Sequence, residues 1–516
     1  MVMKQQQQQQ RRLYSVHNSF VIYMSLWISS IRAFRSRVVR STIPFKIMSL
    51  TTTTSIISNN EQQQQQRPQI LIIAGPTGVG KSDVAAILCQ EKHGMIVSAD
   101  SVQTYRGVQI GANKPSLEVR QETPHFLIDV VNANETYNAA EWRTDALYTM
   151  ELMRTIEYHH DDTPSERHQQ LQEQITTARQ QKGYSQHEPI QPIVVGGTMM
   201  YLQWLVEGIP DAAKPNASSV ARALETIQSY GDDFEKAAAY VSSLDPTIAT
   251  RVHTLCGKDW YRLRRILEIA YTAIDDDPKM DMNALFTGAR QGPLDSCGYD
   301  VRCFFLCPTD RMQHTAIVDE RCEKMLIQGL LQETTDLTCH NQLPEMATRA
   351  IGYRQALEYL QRSEPNYNDE PALEQFIDDF TTATRRYAKK QMQWFRKSQE
   401  FVFVPIDLML TKEERVQEAA QWITELSYLS RLEFEAQLLP LTDNGNPTIS
   451  AKTKADNEAQ GKKMKFYAPK RYILKRESTE YQEVMKQADK CTARIQQLVR
   501  MSEQANEITQ KEHEVV

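Results

Sequence analysis

The stretch GPTGVGKS, Gly75 to Ser82, decides the fold. It fits G-x-x-x-x-G-K-[ST] at every position. It stands between an apolar run, Ile70–Ile73, that reads as a strand and a segment, Ser82–Lys92, that reads as a helix. That is the setting a phosphate-binding loop requires. Gly75, Gly78 and Gly80 let backbone N–H groups turn inward as an anion nest. Lys81 adds a point charge, the Ser82 hydroxyl can ligate Mg²⁺, and the start of the helix contributes its positive end. The run Gly75, Pro76, Thr77, Gly78, Val79, Gly80, Lys81 and Ser82 is therefore assigned to a phosphate or diphosphate. The motif alone leaves the ligand open, because nucleotide kinases share it.

Outward from this loop the text alternates. Strands are predicted at Met95–Ser98, Phe126–Val131 and Ile193–Val195, and a helix at Ala139–Glu157. This βαβ grammar implies a parallel sheet covered by helices. The fold class is α/β: a P-loop parallel-sheet core, a mainly helical insertion, and flexible N- and C-terminal tails. The divisions are 1–66, a transit peptide and Gln-rich tail; 67–210, the first part of the core; 211–345, the helical insertion; 346–442, a return to the core; and 443–516, a charged tail. The polar text HHDDTPSERHQQLQEQ reads as a solvated insertion, and His159, His160, Asp161 and Asp162 within it as loop residues and not a metal site. The tail reads as a polar linker followed by a charged amphipathic helix, roughly Glu477–Lys511.

Composition sets the limits. With 41% hydrophobic and 24% charged residues among 516, the chain is globular, neither collagen-like nor wholly disordered. The net charge of −6 hides an asymmetry: residues 1–60 hold eight basic residues and no acidic one, leaving 51 basic against 65 acidic in the rest. A nucleic-acid partner must then be held by local patches. Eight cysteines without a CxxC are too few for a disulfide framework and point to a reducing compartment. Cys303 and Cys307, on one face of a strand in VRCFFLCP, read as buried thiols. No run of 18 apolar residues occurs, so no membrane span is expected. SFVIYMSLWISSI followed by RAFRSRVVR has the acid-free, Arg- and Ser-rich character of a transit peptide. A mitochondrial address is expected, with cytoplasm or plastid as alternatives.

After the strand Met95–Ser98 comes ADSVQTYRGVQIGANKP, Ala99–Pro115. A carboxylate at a strand's C-terminal end projects into the crevice where open α/β sheets bind ligands. Asp100, Ser101 and Gln103 offer an acceptor, a hydroxyl and an amide suited to an adenine edge. Taken alone, Asp100 also reads as a helix cap.

GPTGVGKS, ADSVQTYRGVQIGANKP, PHFLIDV, PIVVGGTMMYLQWLVEG, RAIGYRQ and ATRRYAKKQMQWFR occur in this order, and the series closely resembles the tRNA dimethylallyltransferases. The resemblance runs from about Gln69 to Pro405. It implies transfer of a dimethylallyl group from dimethylallyl diphosphate, with Mg²⁺, to N6 of the adenosine 3′-adjacent to the anticodon in tRNA. The partner is the anticodon stem-loop; a monomer is expected, although the residues leave dimerisation open. By resemblance Asp100 is the general base, Thr198 in GGT the second catalytic residue, and Lys81 serves the diphosphate. Thr198 also reads as an N-cap for the helix Met199–Gly208. Asp100, Ser101, Val102 and Gln103 are implied to meet tRNA.

DWYRLRRILEI resembles the family's RNA-facing helix and adds Arg262 and Arg265, although the family's usual Pro and Gln are replaced here by Trp260 and Tyr261. In ATRRYAKKQMQWFR, Arg385 and Arg386 begin a basic helix face beside aromatic residues, which suits phosphates and unstacked bases. Many eukaryotic relatives carry a C2H2 zinc finger, for which this chain lacks the residues. Residues 452–476, with nine basic and two acidic residues, read either as a substitute RNA-binding segment or as a linker. Three other readings compete: an adenylate isopentenyltransferase acting on free AMP, ADP or ATP, a P-loop kinase using Asp129, and a non-catalytic RNA-binding protein.

Overall fold

The computed structural model describes residues 67–154, 164–185, 188–210, 215–255, 257–276, 290–362, 369–438 and 451–514. The first β-α-β unit is β1 (Gln69–Ala74), α1 (Lys81–Glu91) and β2 (Gly94–Ala99). Then come α2 (Leu117–Glu122), β3 (His125–Phe126), α3 (Ala139–Arg154), α4 (Glu166–Lys182), β4 (Gln191–Gly196), α5 (Met199–Glu207) and β5 (Ile209–Pro210). Four helices follow: α6 (Ala217–Ser229), α7 (Phe234–Ser243), α8 (Pro246–His253) and α9 (Trp260–Asp276). The chain returns through β6 (Arg290–Gln291) to β7 (Asp300–Pro308). It continues as α10 (Arg311–Ile327), α11 (Leu330–Cys339), α12 (Glu345–Arg349), α13 (Tyr353–Leu360), α14 (Glu370–Phe395), β8 (Phe401–Ile406), α15 (Lys412–Ser427), α16 (Arg431–Glu435), α17 (Ala451–Met464) and α18 (Thr479–Glu514).

The central sheet has the order β3-β2-β4-β1-β7-β8 and every pairing in it is parallel. β1 is central because its apolar run has no polar face to show water. Ile70, Ile72 and Ala74 enter one core layer, and Leu71 and Ile73 the other. A third core belongs to α6–α9 alone, where Phe234, Val241, Ile248, Leu263 and Leu267 pack together.

Five expectations change. β7 pairs with β1 along DVRCFFLCP, so the core resumes at residue 300 and not at 346. A strand apolar on both faces can be satisfied only inside the sheet. Its Cys303 is buried, whereas Cys307 is only partly so. The strand predicted at Phe126–Val131 is only two residues long, because Leu127 and Asp129 adopt positive φ, at 60° and 59°. The polar text after residue 163 forms α4, with Leu171, Ile175 and Ala178 buried on one stripe against α3; residues 159–162 lie outside the described residues. Finally, the C-terminal segment is not a free tail over 467–495. Tyr481, Val484, Met485, Ala488, Cys491 and Ile495 are buried at helical spacing, and α18 packs on α11 and α13.

Candidate active site

The C-terminal ends of β1, β2 and β4 converge on a crevice, the place where open parallel sheets bind ligands. Between β1 and α1 the loop turns through Gly78 (φ 80°) and Gly80 (φ 98°), left-handed conformations that a side chain would strain. The loop is held from behind. The Gln391 amide oxygen on α14 accepts the Thr77 N–H (3.0 Å), and buried His314 on α10 donates to the Thr77 carbonyl (2.9 Å). Burial brings the His314 pKa down to about 4, so the imidazole is neutral.

Lys81 donates to the carbonyls of Gly75 (2.9 Å) and Pro76 (3.0 Å). Burial lowers its pKa to about 7; Arg321 pushes in the same direction and Asp100 opposes both. Arg321 enters the same cavity from α10. Its own pKa is lowered by burial, and its guanidinium makes no ion pair or hydrogen bond with the described residues. Two partly buried cations facing a Gly-rich loop, neither in an ion pair among the described residues, give this cavity the character that suits a polyanion.

Asp100 follows β2. Its Oδ1 accepts the N–H groups of Val102 (2.9 Å) and Gln103 (3.3 Å), while Oδ2 has no partner among the described residues. Thr198 occupies the N-cap position of α5, yet its hydroxyl does not cap the helix. Instead Thr198 Oγ1 accepts the Ser101 N–H (3.1 Å), which couples the GGT and DSVQ segments and leaves the Thr198 proton available. The Gln103 amide is taken up locally: its oxygen accepts from Ser98, and its nitrogen donates to the carbonyls of Ala112 and Asn113. It fixes the GANKP loop, leaving Asp100 and Thr198 as the groups that face the crevice.

Two cavities meet at Thr77, Asp100, Arg321 and Tyr387. One, of about 120 Å³, contains Lys81, Ser82 and Gln391 and is polar. The other, of about 340 Å³, contains Ser101, Val102, Thr198, Met325, Ile351 and Phe380 and is more apolar. Phosphate chemistry at one end and an apolar chamber at the other place Asp100 at the junction.

The second chamber is built by a carboxylate. Glu333 on α11 accepts the N–H groups of Gln109 (3.0 Å), Ile110 (2.7 Å) and Gly111 (3.0 Å), and the Tyr353 hydroxyl (2.5 Å). A Cβ on Gly111 would run into the Tyr353 ring. The RAIGYRQ segment thus locks the GANKP loop from behind.

The family model described as IPP transferase matches residues 103–161 and 163–398, more than half of the chain. The chain belongs to the IPP transferase family. It is 32% identical over 360 residues to tRNA dimethylallyltransferase 9 of Arabidopsis thaliana, covering 64% of this chain and 70% of that relative. It is 31% identical over 349 residues to the tRNA dimethylallyltransferase of Protochlamydia amoebophila, covering 66% and 85%. Among solved structures it is similar to the full-length tRNA isopentenylpyrophosphate transferase from Bacillus halodurans, with TM-score 0.43, 22% identity, and coverage of 72% of this chain and 99% of that one.

In this IPP transferase the remaining sequence-predicted residues lie away from the junction. Arg262 and Arg265 are exposed on α9, paired with Asp259 (3.4 Å) and Glu268 (2.9 Å). Trp260 packs edge-on against Phe234 inside the insertion's own core, whereas Tyr261 is exposed. Arg385 is bound by both oxygens of Asp319 (2.7 and 2.8 Å), so its guanidinium is held by the protein itself. Arg386 is exposed and without a partner among the described residues. Ser82 lines the polar cavity at the first turn of α1.

The sequence reading missed Arg321, His314, Tyr387 and Gln391. A signal existed for three of them. Val318, Arg321, Cys322 and Met325 share one helical stripe, with the three apolar members buried. In ATRRYAKKQMQWFR the inward stripe is Thr384, Tyr387, Ala388, Gln391 and Phe395, on the side opposite the basic residues that draw the eye.

Proposed function

We propose that the protein transfers a dimethylallyl group from dimethylallyl diphosphate to N6 of the adenosine 3′-adjacent to the anticodon in tRNA, releasing diphosphate. The observation that carries this reading is the position of Asp100, shared by the cation-lined cavity and the apolar chamber. The names of the relatives support the same reaction.

The P-loop amides, Lys81 and Arg321 hold the diphosphate and take up the negative charge that develops as the allylic C–O bond breaks. Val102, Met325, Ile351 and Phe380 exclude water from the electron-poor allyl carbon. The N6 amine attacks that carbon, forming the C–N bond. Its proton passes to Asp100 Oδ2, the oxygen without a partner among the described residues, while Oδ1 stays anchored by Val102 and Gln103. Thr198 orients the Ser101 backbone and supplies a hydroxyl donor beside the base.

Mg²⁺ fits the donor set. Among the described residues no cluster of three or more His, Cys, Asp and Glu side chains exists to cage a metal. A Ser82 hydroxyl together with diphosphate oxygens and water suits an ion that keeps much of its hydration. Ser82 would hold such an ion, which would supply charge neutralisation to the leaving group.

The kinase reading loses its acid: Asp129 is tied to Lys114 (2.6 Å) and Arg120 (2.7 Å) and does not line the P-loop cavity. The basic, acid-free stretch 1–60 supports a mitochondrial address; it lies outside the described residues. No helix among them is long and apolar enough to cross a membrane.

Incubation with labelled dimethylallyl diphosphate and either tRNA or AMP tests the reaction. Label on N6 of the adenosine beside the anticodon is expected. Label on AMP, with none on tRNA, would replace this reading with cytokinin-type synthesis on free nucleotide.

A further inference from the structure

Residues 462–476, KKMKFYAPKRYILKR, hold seven basic residues and no acidic one. Two are engaged: Arg471 with Glu374 (2.6 Å) and Asp378 (2.9 Å), and Arg476 with Glu370 (2.7 Å). The other five, Lys462, Lys463, Lys465, Lys470 and Lys475, are exposed, and their ammonium groups have no partner among the described residues. Between them Phe466 is 86% exposed.

A lysine-rich linker would keep such charges mobile, but this segment is fastened at both ends. Gln460 bridges the Thr309 carbonyl (2.7 Å) and the Arg311 N–H (3.3 Å). Tyr467 donates to Asp319 (2.5 Å), and fully buried Glu323 accepts the N–H groups of Tyr472, Ile473 and Leu474. Buried carboxylates are thus used to fix an exposed cationic strip, which lowers the entropy lost when it binds.

The strip also continues onto α14. Tyr467 and Arg385 share Asp319, with the guanidinium 5.6 Å from the Tyr467 ring. From there Arg386, Lys389, Lys390 and Lys397 are exposed without partners among the described residues. In a chain of net charge −6 this local excess is not bulk composition.

We propose that the 462–476 arm is a docking surface for an RNA sugar–phosphate backbone, with Phe466 as a stacking platform for an unpaired base, engaged while the target base occupies the chamber beside Asp100. Unpaired ammonium groups match phosphates, and an exposed aromatic ring among them matches an unstacked base. The proposal rests on the reading that the substrate is RNA.

The test replaces all five lysines by glutamine in the full chain and measures donor-free binding of full-length tRNA and of a minimal anticodon stem-loop as salt is varied. Because all five are surface side chains, the variant is expected to melt like the wild type. Each lost phosphate contact lowers the slope of log affinity against log salt by about 0.7–0.9, so full-length tRNA is expected to lose about 3.5–4.5 in slope and at least tenfold in affinity near 0.1 M salt. Phe466→Ala is expected to weaken tRNA about tenfold with the slope unchanged. An unchanged slope in the lysine variant overturns the proposal. So does a slope unchanged for tRNA with binding lost only to phosphatidylserine vesicles. Wild-type protein that labels AMP and no RNA would instead defeat the reaction reading, which the donor-free measurement keeps separate.

Discussion

Arg321 and Lys81 both line the polar cavity, and Asp100 is the acid that favours the charge of both. Each makes the other's charge costlier, and a diphosphate relieves both. Two partly buried, mutually repelling cations thus favour an anion between them.

A pH dependence follows. With its pKa lowered to about 7 by burial and by Arg321, Lys81 is largely neutral at pH 8 in the free protein. Bound diphosphate favours the ammonium form, so donor binding at pH 8 takes up a proton. Donor affinity is flat below about pH 7 and falls as pH rises above it, by up to about tenfold per unit until the pKa of the complex is reached. Titration calorimetry in buffers of different ionisation enthalpy measures the uptake. Lys81→Arg, charged throughout, should abolish it; a wild type that takes up no proton at pH 8 would show that Lys81 is already charged when free.

Arg321→Gln should weaken the donor by about 1.5–3 kcal/mol, the worth of a charge-assisted hydrogen bond. It also removes a charge that lowers the Lys81 pKa, so the inflection in donor affinity moves to higher pH. An unpaired, partly buried guanidinium is a cost to the fold, so the melting temperature should hold or rise. A fall in Tm with unchanged donor affinity would make Arg321 structural.

Glu323 anchors the C-terminal arm by accepting three consecutive N–H groups from it, at 2.6 to 3.0 Å. Glu323→Gln places an amide –NH₂ where an acceptor is needed and should cost about 2–3 kcal/mol. The arm is expected to open locally, so hydrogen exchange should show lost protection at 472–474 before any change at β1. Retained protection there would mean that the apolar packing of α18 alone holds the arm.

The placement of the Gly-rich turn, Asp100 and Thr198 was legible in the sequence for a physical reason: each is a local device written within a few residues of a strand end. Arg321 was not legible as a site residue, because a lone arginine in DERCEK looks like a solvated face until the stripe of Val318, Cys322 and Met325 is aligned with it. The arm hid for a related reason. Seven basic residues advertise a linker, while the groups that hold it, Asp319 and Glu323, lie about 150 residues earlier in α10. Long-range pairing of this kind leaves no periodic trace. Arg385 shows the converse: its position on a basic face pointed to RNA, but only the structure reveals the Asp319 carboxylate that binds it.

Asp100 carries the sharpest prediction. One oxygen, Oδ1, closes the turn by accepting from Val102 and Gln103, and the other is without a partner among the described residues at the junction of the two cavities. Asparagine in its place keeps an oxygen for the turn, so Asp100→Asn should fold normally and retain tRNA affinity, which comes mostly from distributed phosphate contacts. Its amide cannot accept the N6 proton. Loss of a positioned general base costs about 10²–10⁴ in rate, and the whole loss should appear in the transfer step. Single-turnover transfer with both substrates saturating isolates that step. Thr198→Val offers the comparison: it removes the acceptor for the Ser101 N–H and so misplaces the DSVQ turn, which should slow transfer less while loosening the turn. A full single-turnover rate in Asp100→Asn would reduce the carboxylate to the turn cap that Oδ1 already is, and the proton would have to leave through Thr198 and solvent.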